Sequence, residues 1–259
     1  MYKDQLKSKK RKKIFGKVML GVIIILAIVG GIIYALFFTS WFDVRNVSIT
    51  GPEDSLRSDI NVVINEWLDK DFLSISRRSN IFLLSLEELS AIMLSRFPKL
   101  DSVDISRKGQ HDIEISASQR KPIGVWCTST SCAYFDQKGI AYAETGQSAG
   151  FLILNVVDKR DNKIMLGSSI ILDDWLQKII LAKELLLKPD INVSRFEIPE
   201  NTFDEFHAVT PVGWKIYFSV STDISKQVSA LASLLRERLS LAEITEYVDL
   251  RIQDRIYYK

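Results

Sequence analysis

Residues 100–119 read LDSVDISRKGQHDIEISASQ, and their alternation decides the fold. Val103 and Ile105 fall on one side of the first half, and Ile113, Ile115 and Ala117 on one side of the second. Polar residues fill most positions between them. A period of two is what a strand with one face in a core requires. Gly109 lies between the halves, so the segment predicts two strands joined by a turn.

Working upstream, two helices precede this pair. Ser85 and Glu88 have the spacing of a capping box, and Leu84 and Leu89 are placed as its hydrophobic staple. The apolar face of that helix runs Leu86, Leu89, Ile92, Met93 and Phe97, and Pro98 closes it. An earlier helix carries Leu56, Ile60, Val63, Ile64 and Trp67 at helical spacing. Before it, FDVRNVSITG (42–51) has strand composition and ends at the Gly51-Pro52 turn. The expected unit is β-α-α-β-β, from Phe42 to about Lys121.

Further upstream, Val18–Phe38 holds 21 residues without a charge. At 1.5 Å per residue a helix of that length spans roughly the 30 Å hydrocarbon core of a bilayer. A cleaved signal peptide would have a shorter apolar region and a small-residue cleavage site, and TSWFDV offers none. Residues 1–17 carry eight Lys/Arg against Asp4 alone, a net charge of about +7. With the whole chain at +2, the remainder carries about −5. The reading is a cytoplasmic tail (1–17), a transmembrane signal anchor (18–38) and an exported remainder in the cell membrane's single-pass class. A basic run beside a membrane span is no nucleic-acid footprint, so no nucleic-acid partner is expected. Ala27, Gly31 and Ala35 form a small-xxx-small ladder, a candidate site for helix packing inside the membrane.

Downstream of Pro122 the pattern becomes mostly strands with two helices. GVWC and CAYF flank a four-residue loop, which would set Cys127 and Cys132 opposite each other in a hairpin. An exported domain permits a disulfide there, with two free thiols as the alternative. DQKG is a turn, IAYAE and FLILNVV are strands, and a helix covers about Leu172–Leu187 with Trp175, Leu176, Ile179 and Leu186 on one side. VSRFEI and GWKIYFSV are strands, and a last helix runs from Asp223 to about Leu239. In EITEYVDLRIQDRIYYK (243–259), Val248, Leu250 and Ile252 alternate with Asp249, Arg251 and Gln253. That alternation predicts one terminal strand at a sheet edge. Charges at Asp249, Arg251, Asp254 and Arg255 could guard such an edge.

Most catalytic motifs are missing from the sequence: no nucleophile elbow, H-E-x-x-H or Gly-rich phosphate loop occurs. His111 reads as a turn residue and His207 as a solvent-edge residue at a strand start, too far in sequence from the cysteines for a metal set. Asp173-Asp174 reads as helix N-capping. No catalytic residue, cofactor, metal or small-molecule substrate is expected.

The order of these features resembles the FtsQ/DivIB family of bacterial cell-division proteins. WFDVRNVSITG is similar to the first strand of the family's POTRA (polypeptide-transport-associated) domain. RFPKLDSVDISRKGQHDIEISASQRKPIGVW resembles its helix end, two strands and domain junction, and YFDQKGIAY its following hairpin. EYVDLRIQDRIYYK resembles its final segment. Gln119, Gly124 and Ile252 depart from the usual Glu, Ala and aromatic residue.

The resemblance implies an α+β fold with a POTRA-like domain (41–121) and a β-rich C-terminal domain (122–259). It also implies a non-enzymatic scaffold at the division septum, tied to septal peptidoglycan synthesis. Small single-pass partners of the FtsB/FtsL type would add a strand to the C-terminal edge. The residues implied in that contact are Arg251, Ile252, Arg255, Tyr257 and Tyr258, with Ile256 beside them. Competing readings are another anchored POTRA chaperone or assembly factor, or an anchored extracytoplasmic hydrolase.

Overall fold

The computed structural model describes residues 2–69, 71–72, 76–77, 79–146, 153–160, 162–237, 240–253 and 255–259. It is an α+β chain with five α-helices among those residues and sheets of three, nine and two strands. The described chain divides into two compact units. One comprises Met1–Met93 with Ser102–Ser118, the other Leu94–Asp101 with Gln119–Lys259.

The first unit opens with α1 (Tyr2–Phe38), whose stretch Phe15–Phe37 is long and apolar enough to cross a membrane. Its apolar side chains face outward and none of the stretch is buried in protein, as a lipid-facing helix requires. After it come β1 (Asn46–Thr50), α2 (Asp54–Leu68), a small pair β2 (Asp71–Phe72) and β3 (Ser76–Arg77), and α3 (Leu86–Arg96). Then follow β4 (Leu100–Arg107) and β5 (Asp112–Gln119). The sheet order is β1-β5-β4, with β1 parallel to β5 and Val47 and Ile49 beside Ile113 and Ile115. Ile60, Ile64 and Trp67 of α2, and Leu89 and Met93 of α3, supply the buried helix faces. The start of α3 has the expected chemistry: the backbone N–H of Glu88 donates to Ser85 Oγ at 3.2 Å, and Leu84 and Leu89 are both buried. The β2–β3 pair has no counterpart in the sequence reading, because two-residue strands carry no readable period.

The second unit contains β6 (Gly124–Cys127), β7 (Cys132–Phe135), β8 (Ala141–Thr145), β9 (Leu154–Asp158), α4 (Asp173–Leu186) and β10 (Arg195–Ile198). It continues with β11 (Glu205–Val209), β12 (Lys215–Ser219), α5 (Ile224–Glu237), β13 (Tyr247–Asp249) and β14 (Tyr257–Tyr258). Leu239, read as part of the last helix, and Asp254 lie outside the described residues. The nine strands run in the order β14-β13-β12-β11-β10-β9-β6-β7-β8. Cys127 and Cys132 sit opposite each other across β6 and β7 and are joined, with Cα atoms 4.1 Å apart.

Why both helices cover the same face follows from connectivity. β9 and β10 are parallel neighbours joined through α4, and β12 and β13 are parallel neighbours joined through α5. Both crossovers step in the same direction along the sheet and start from strands of the same sense. Right-handed crossovers then place both helices on one face. The buried cluster confirms this: Leu176, Ile179 and Leu186 share a core with Ile224, Val228 and Leu231, over Phe196, Phe206, Phe218 and Val248. Among the described residues of this unit, no helix lies on the opposite face.

Three local expectations need correction. Asp173 and Asp174 do not cap α4: its N-cap is Leu172 without a side-chain bond, and both aspartates lie in the first turn. There they favour the helix dipole, and Asp174 pairs with Lys178 at 2.7 Å. His207 is not at the solvent edge but lies inside β11, half-buried between its neighbours. The alternation Val248–Gln253 is not one strand, because β13 stops at Asp249 and the chain turns back to form β14.

Gly124 is the tightest point of the large sheet, paired with both β7 and β9. A Cβ there would stand 2.2 Å from the Leu154 carbonyl oxygen and 2.7 Å from the Phe135 ring. The alanine common in the resembling family therefore does not fit this packing. Gly124→Ala is expected to cost about 1–3 kcal/mol through overpacking, read as a lowered Tm of the chain in detergent micelles. An unchanged Tm would mean that β6 and β9 separate without cost.

Candidate partner-binding edge

The C-terminal side of the nine-stranded sheet ends on β14, and no described strand flanks it. What produces this short hairpin is Asp249. Its Oδ1 accepts the backbone N–H of Arg251 at 3.0 Å, an i to i+2 bond that takes the chain out of the ladder. The last ladder bond before the turn runs from Leu250 N–H to the Tyr217 carbonyl at 3.0 Å. The side chain of Arg251 doubles the grip, with Nε 2.9 Å from Oδ1 and the terminal nitrogen 2.7 Å from Oδ2. That fork-on-fork geometry is the strong form of the ion pair. The other terminal nitrogen of Arg251 binds Glu205 of β11, and its guanidinium lies 5.3 Å over the Tyr217 ring.

Returning along β14, Val248 faces Tyr258 and Asp249 faces Tyr257. Lys259 and Tyr247 exchange both backbone bonds, at 3.0 and 3.3 Å. In an antiparallel pair bonded and non-bonded positions alternate, so the N–H and C=O of Tyr258 point to the open side. Tyr258 lies on the helix-covered face beside Val248, and Tyr257 on the opposite face beside Asp249. Both rings are about half exposed. Ile256 packs against the apolar core, and Ile252 and Arg255 are exposed on the turn. Of the residues singled out in the sequence, Ile252, Arg255, Tyr257 and Tyr258 thus stand on this hairpin with open sides. Arg251 is committed to partners inside the chain.

Behind this edge, on the face opposite α4 and α5, one row of side chains crosses the sheet and is polar over its first five strands. Tyr257, Asp249, Tyr217, His207, Glu197, Val157 and Cys127 stand in register across seven strands. Glu197 is the most enclosed of them, its side chain 5% exposed, and it accepts from Lys215 at 2.9 Å, Lys159 at 3.0 Å and Arg195 at 2.9 Å. Burial alone would raise its carboxyl, but these three cations bring it down to about 2. Asp249 shows the same balance: burial pushes it up and Arg251 holds it below the ordinary carboxylate value. The His207 ring lies 4.2 Å from the Tyr217 ring, which stacks in turn on Tyr247 at 5.4 Å. Burial pushes the His207 imidazole down, against the pull of Glu205, whose Oε1 is 3.5 Å from Nε2. These neighbours were invisible in the sequence, since only register across strands brings residues 197, 207, 217 and 249 together.

An α+β protein with one candidate membrane helix at its N-terminus, two compact units and an open sheet edge is the class that this geometry defines. No protein-family model matches the chain. Among curated proteins it is similar to the cell division protein FtsQ of Streptomyces collinus and that of Streptomyces coelicolor. Each match is 21% identical over 131 residues, which is 51% of this chain and 46% of the relative. The chain therefore spans about half the length of the curated relatives it matches. These matches and the apolar N-terminal helix fit an FtsQ/DivIB-like protein.

The Glu197 cluster gives a pH prediction. Its carboxyl is depressed in the folded chain from the ordinary 4.5 to about 2, so its stabilisation is complete above pH 4.5. It is lost as the pH falls through about 2. Glu197→Gln is expected to lower stability at pH 7 by about 2 kcal/mol, leaving three cations without a countercharge. The same variant should show a flatter loss of stability between pH 4.5 and 2, measured by chemical denaturation across that range. Parallel curves for the two proteins would remove Glu197 from the acid limb.

Proposed function

We propose that this chain is a non-enzymatic, membrane-anchored scaffold of the bacterial division complex, located at the septum with its N-terminus in the cytoplasm. Residues 41–121 serve as its POTRA-like domain and residues 122–259 as its partner-binding domain. Small single-pass partners of the FtsB/FtsL type dock by adding a strand to β14, which links the complex to septal peptidoglycan synthesis. The observation that carries this reading is the position of β14: a two-residue strand at the end of a nine-stranded sheet, with the N–H and C=O of Tyr258 facing out. Strand addition takes its affinity from such main-chain groups and its register from alternating side chains. Tyr257 and Tyr258 fall on opposite faces of any added strand, so each clamps one side of it. Support also comes from the two Streptomyces relatives, each named as a cell division protein. Ala27, Gly31 and Ala35 of α1 are the proposed contact for partner helices within the membrane.

The test is binding of purified FtsB/FtsL-type partner complex to the full chain in detergent. Tyr257→Ala and Tyr258→Ala are each expected to weaken binding by tenfold or more, roughly the effect of removing an aromatic anchor from an interface centre. Tyr258→Pro removes the outward N–H together with the ring and is expected to weaken binding beyond Tyr258→Ala by about a further tenfold, while its Tm stays near that of Tyr258→Ala. Unchanged affinity in all three variants would move the partner site away from β14.

A further inference from the structure

The joint between α1 and the first folded unit is built rather than flexible. The helix ends at Phe38, and the last carbonyls of a helix look for partners beyond its own ladder. Two of them are bonded by side chains here. Thr39 Oγ1 donates to the Ala35 carbonyl at 2.5 Å, and Asn80 Nδ2 donates to the Leu36 carbonyl at 2.8 Å. Asn80 is only 1% exposed and comes from a loop 44 residues further along the chain.

That loop is fixed from several sides. Asn80 Oδ1 accepts the N–H of Phe82 at 2.9 Å, and the Asn80 carbonyl accepts those of Leu83 and Leu84 at 3.0 Å. Ile81 N–H donates to the Phe42 carbonyl at 2.8 Å, and Val44 N–H to the Ser79 carbonyl at 2.8 Å. From β4, Arg107 donates to the carbonyls of Ile81 at 2.9 Å and Leu84 at 2.7 Å. This scaffold turns Ile81 and Leu84 into the core, at 1% and 2% exposure. Phe82 and Leu83 are left pointing outward, at 56% and 36%. The Phe82 ring lies 5.1 Å from that of Phe42, next to Trp41, which is 70% exposed.

Depth follows from the Asn80 bond. Leu36 is the next-to-last residue of the membrane-length stretch Phe15–Phe37, so a group bonded to its carbonyl lies at the edge of the hydrocarbon. Beyond that edge the headgroup zone extends only about 5–8 Å. A Phe-Leu tip two residues from Asn80, beside an exposed Trp, is within reach of this zone, where aromatic side chains concentrate. We infer that the Asn80–Leu84 loop is a membrane seat: Phe82 and Leu83 enter the headgroup boundary of the bilayer beside Trp41. Asn80 bolts the first folded unit to the helix end. The inference rests on α1 crossing the membrane, and not on what binds β14.

Both native cysteines are joined, so one introduced cysteine gives one labelling site. The full chain is placed in lipid nanodiscs as F82C, L83C, I28C or F203C, each carrying an environment-sensitive fluorophore. Quenching is read with lipid spin-labelled near its headgroup, lipid spin-labelled near its acyl end, and aqueous iodide. Labels at 82 and 83 are expected to be quenched by the shallow lipid label and shielded from iodide roughly threefold relative to position 203. The label at 28, in mid-helix, is expected to respond to the deep lipid label. Iodide access at both 82 and 83 equal to that at 203, with position 28 quenched by lipid, overturns the seat while α1 remains in the membrane. That result would make the loop a protein-facing surface instead. An unquenched position 28 overturns the membrane anchor and the seat together.

Discussion

A β-sheet must stop somewhere, and the strand at which it stops exposes a row of backbone donors and acceptors. In this chain the stopping point is set by the Asp249–Arg251 clasp. The clasp diverts the chain after one short parallel strand and folds it back, so the last edge is two residues long rather than six. A short edge flanked by charge resists indiscriminate pairing, and in the proposed docking its two tyrosines would set the register of an added strand. The same arginine reaches Glu205 and the Tyr217 ring, which fixes the hairpin to β11 and β12. Sheet end, hairpin and exposed tyrosines therefore share one origin.

The two crossovers give the sheet an unequal pair of faces. With α4 and α5 on one side, that side buries Phe196, Phe206, Phe218 and Val248 in a common core. On the other side the same strands must satisfy polar groups without helices above them. They do so by register, surrounding Glu197 with Lys159, Arg195 and Lys215, and layering His207, Tyr217 and Tyr247. A buried carboxylate with three cationic donors is a fully satisfied network, and such networks specify which strands lie next to one another.

Most of the elements were legible in the sequence, because amphipathic periods and caps are local. The apolar stretch of α1, the faces of α2 and α3, the capping bond at Ser85, and the alternation in β4, β5 and β12 all followed from spacing. What spacing could not give was pairing. The alternation Val248–Gln253 looks like a strand because period two persists, yet a single i to i+2 carboxylate bond overrides it after Asp249. His207 seemed peripheral because it reads as the start of a strand, whereas β10 and β12 flank that strand on both sides. Asp173 and Asp174 carry the residue type of a cap one position too late for the role. At the candidate edge, Tyr257 and Tyr258 were legible as late aromatics. The partners of Arg251 were not, since Glu205 lies 46 residues away in the chain.

The order β14-β13-β12 also bears on when this edge comes into being. β13 joins β12 in parallel, and so only once α5 has crossed the sheet, while among the described strands β14 pairs with β13 alone. Long-range parallel pairing forms late, because the intervening chain must first be closed into a loop. The open edge thus exists only where β13 has joined β12 behind α5. Under the proposed docking, a partner that reads β14 meets only chains in which β13 has already taken its place beside β12. Copies without that pairing would offer it no edge, and assembly would then need no separate proofreading step.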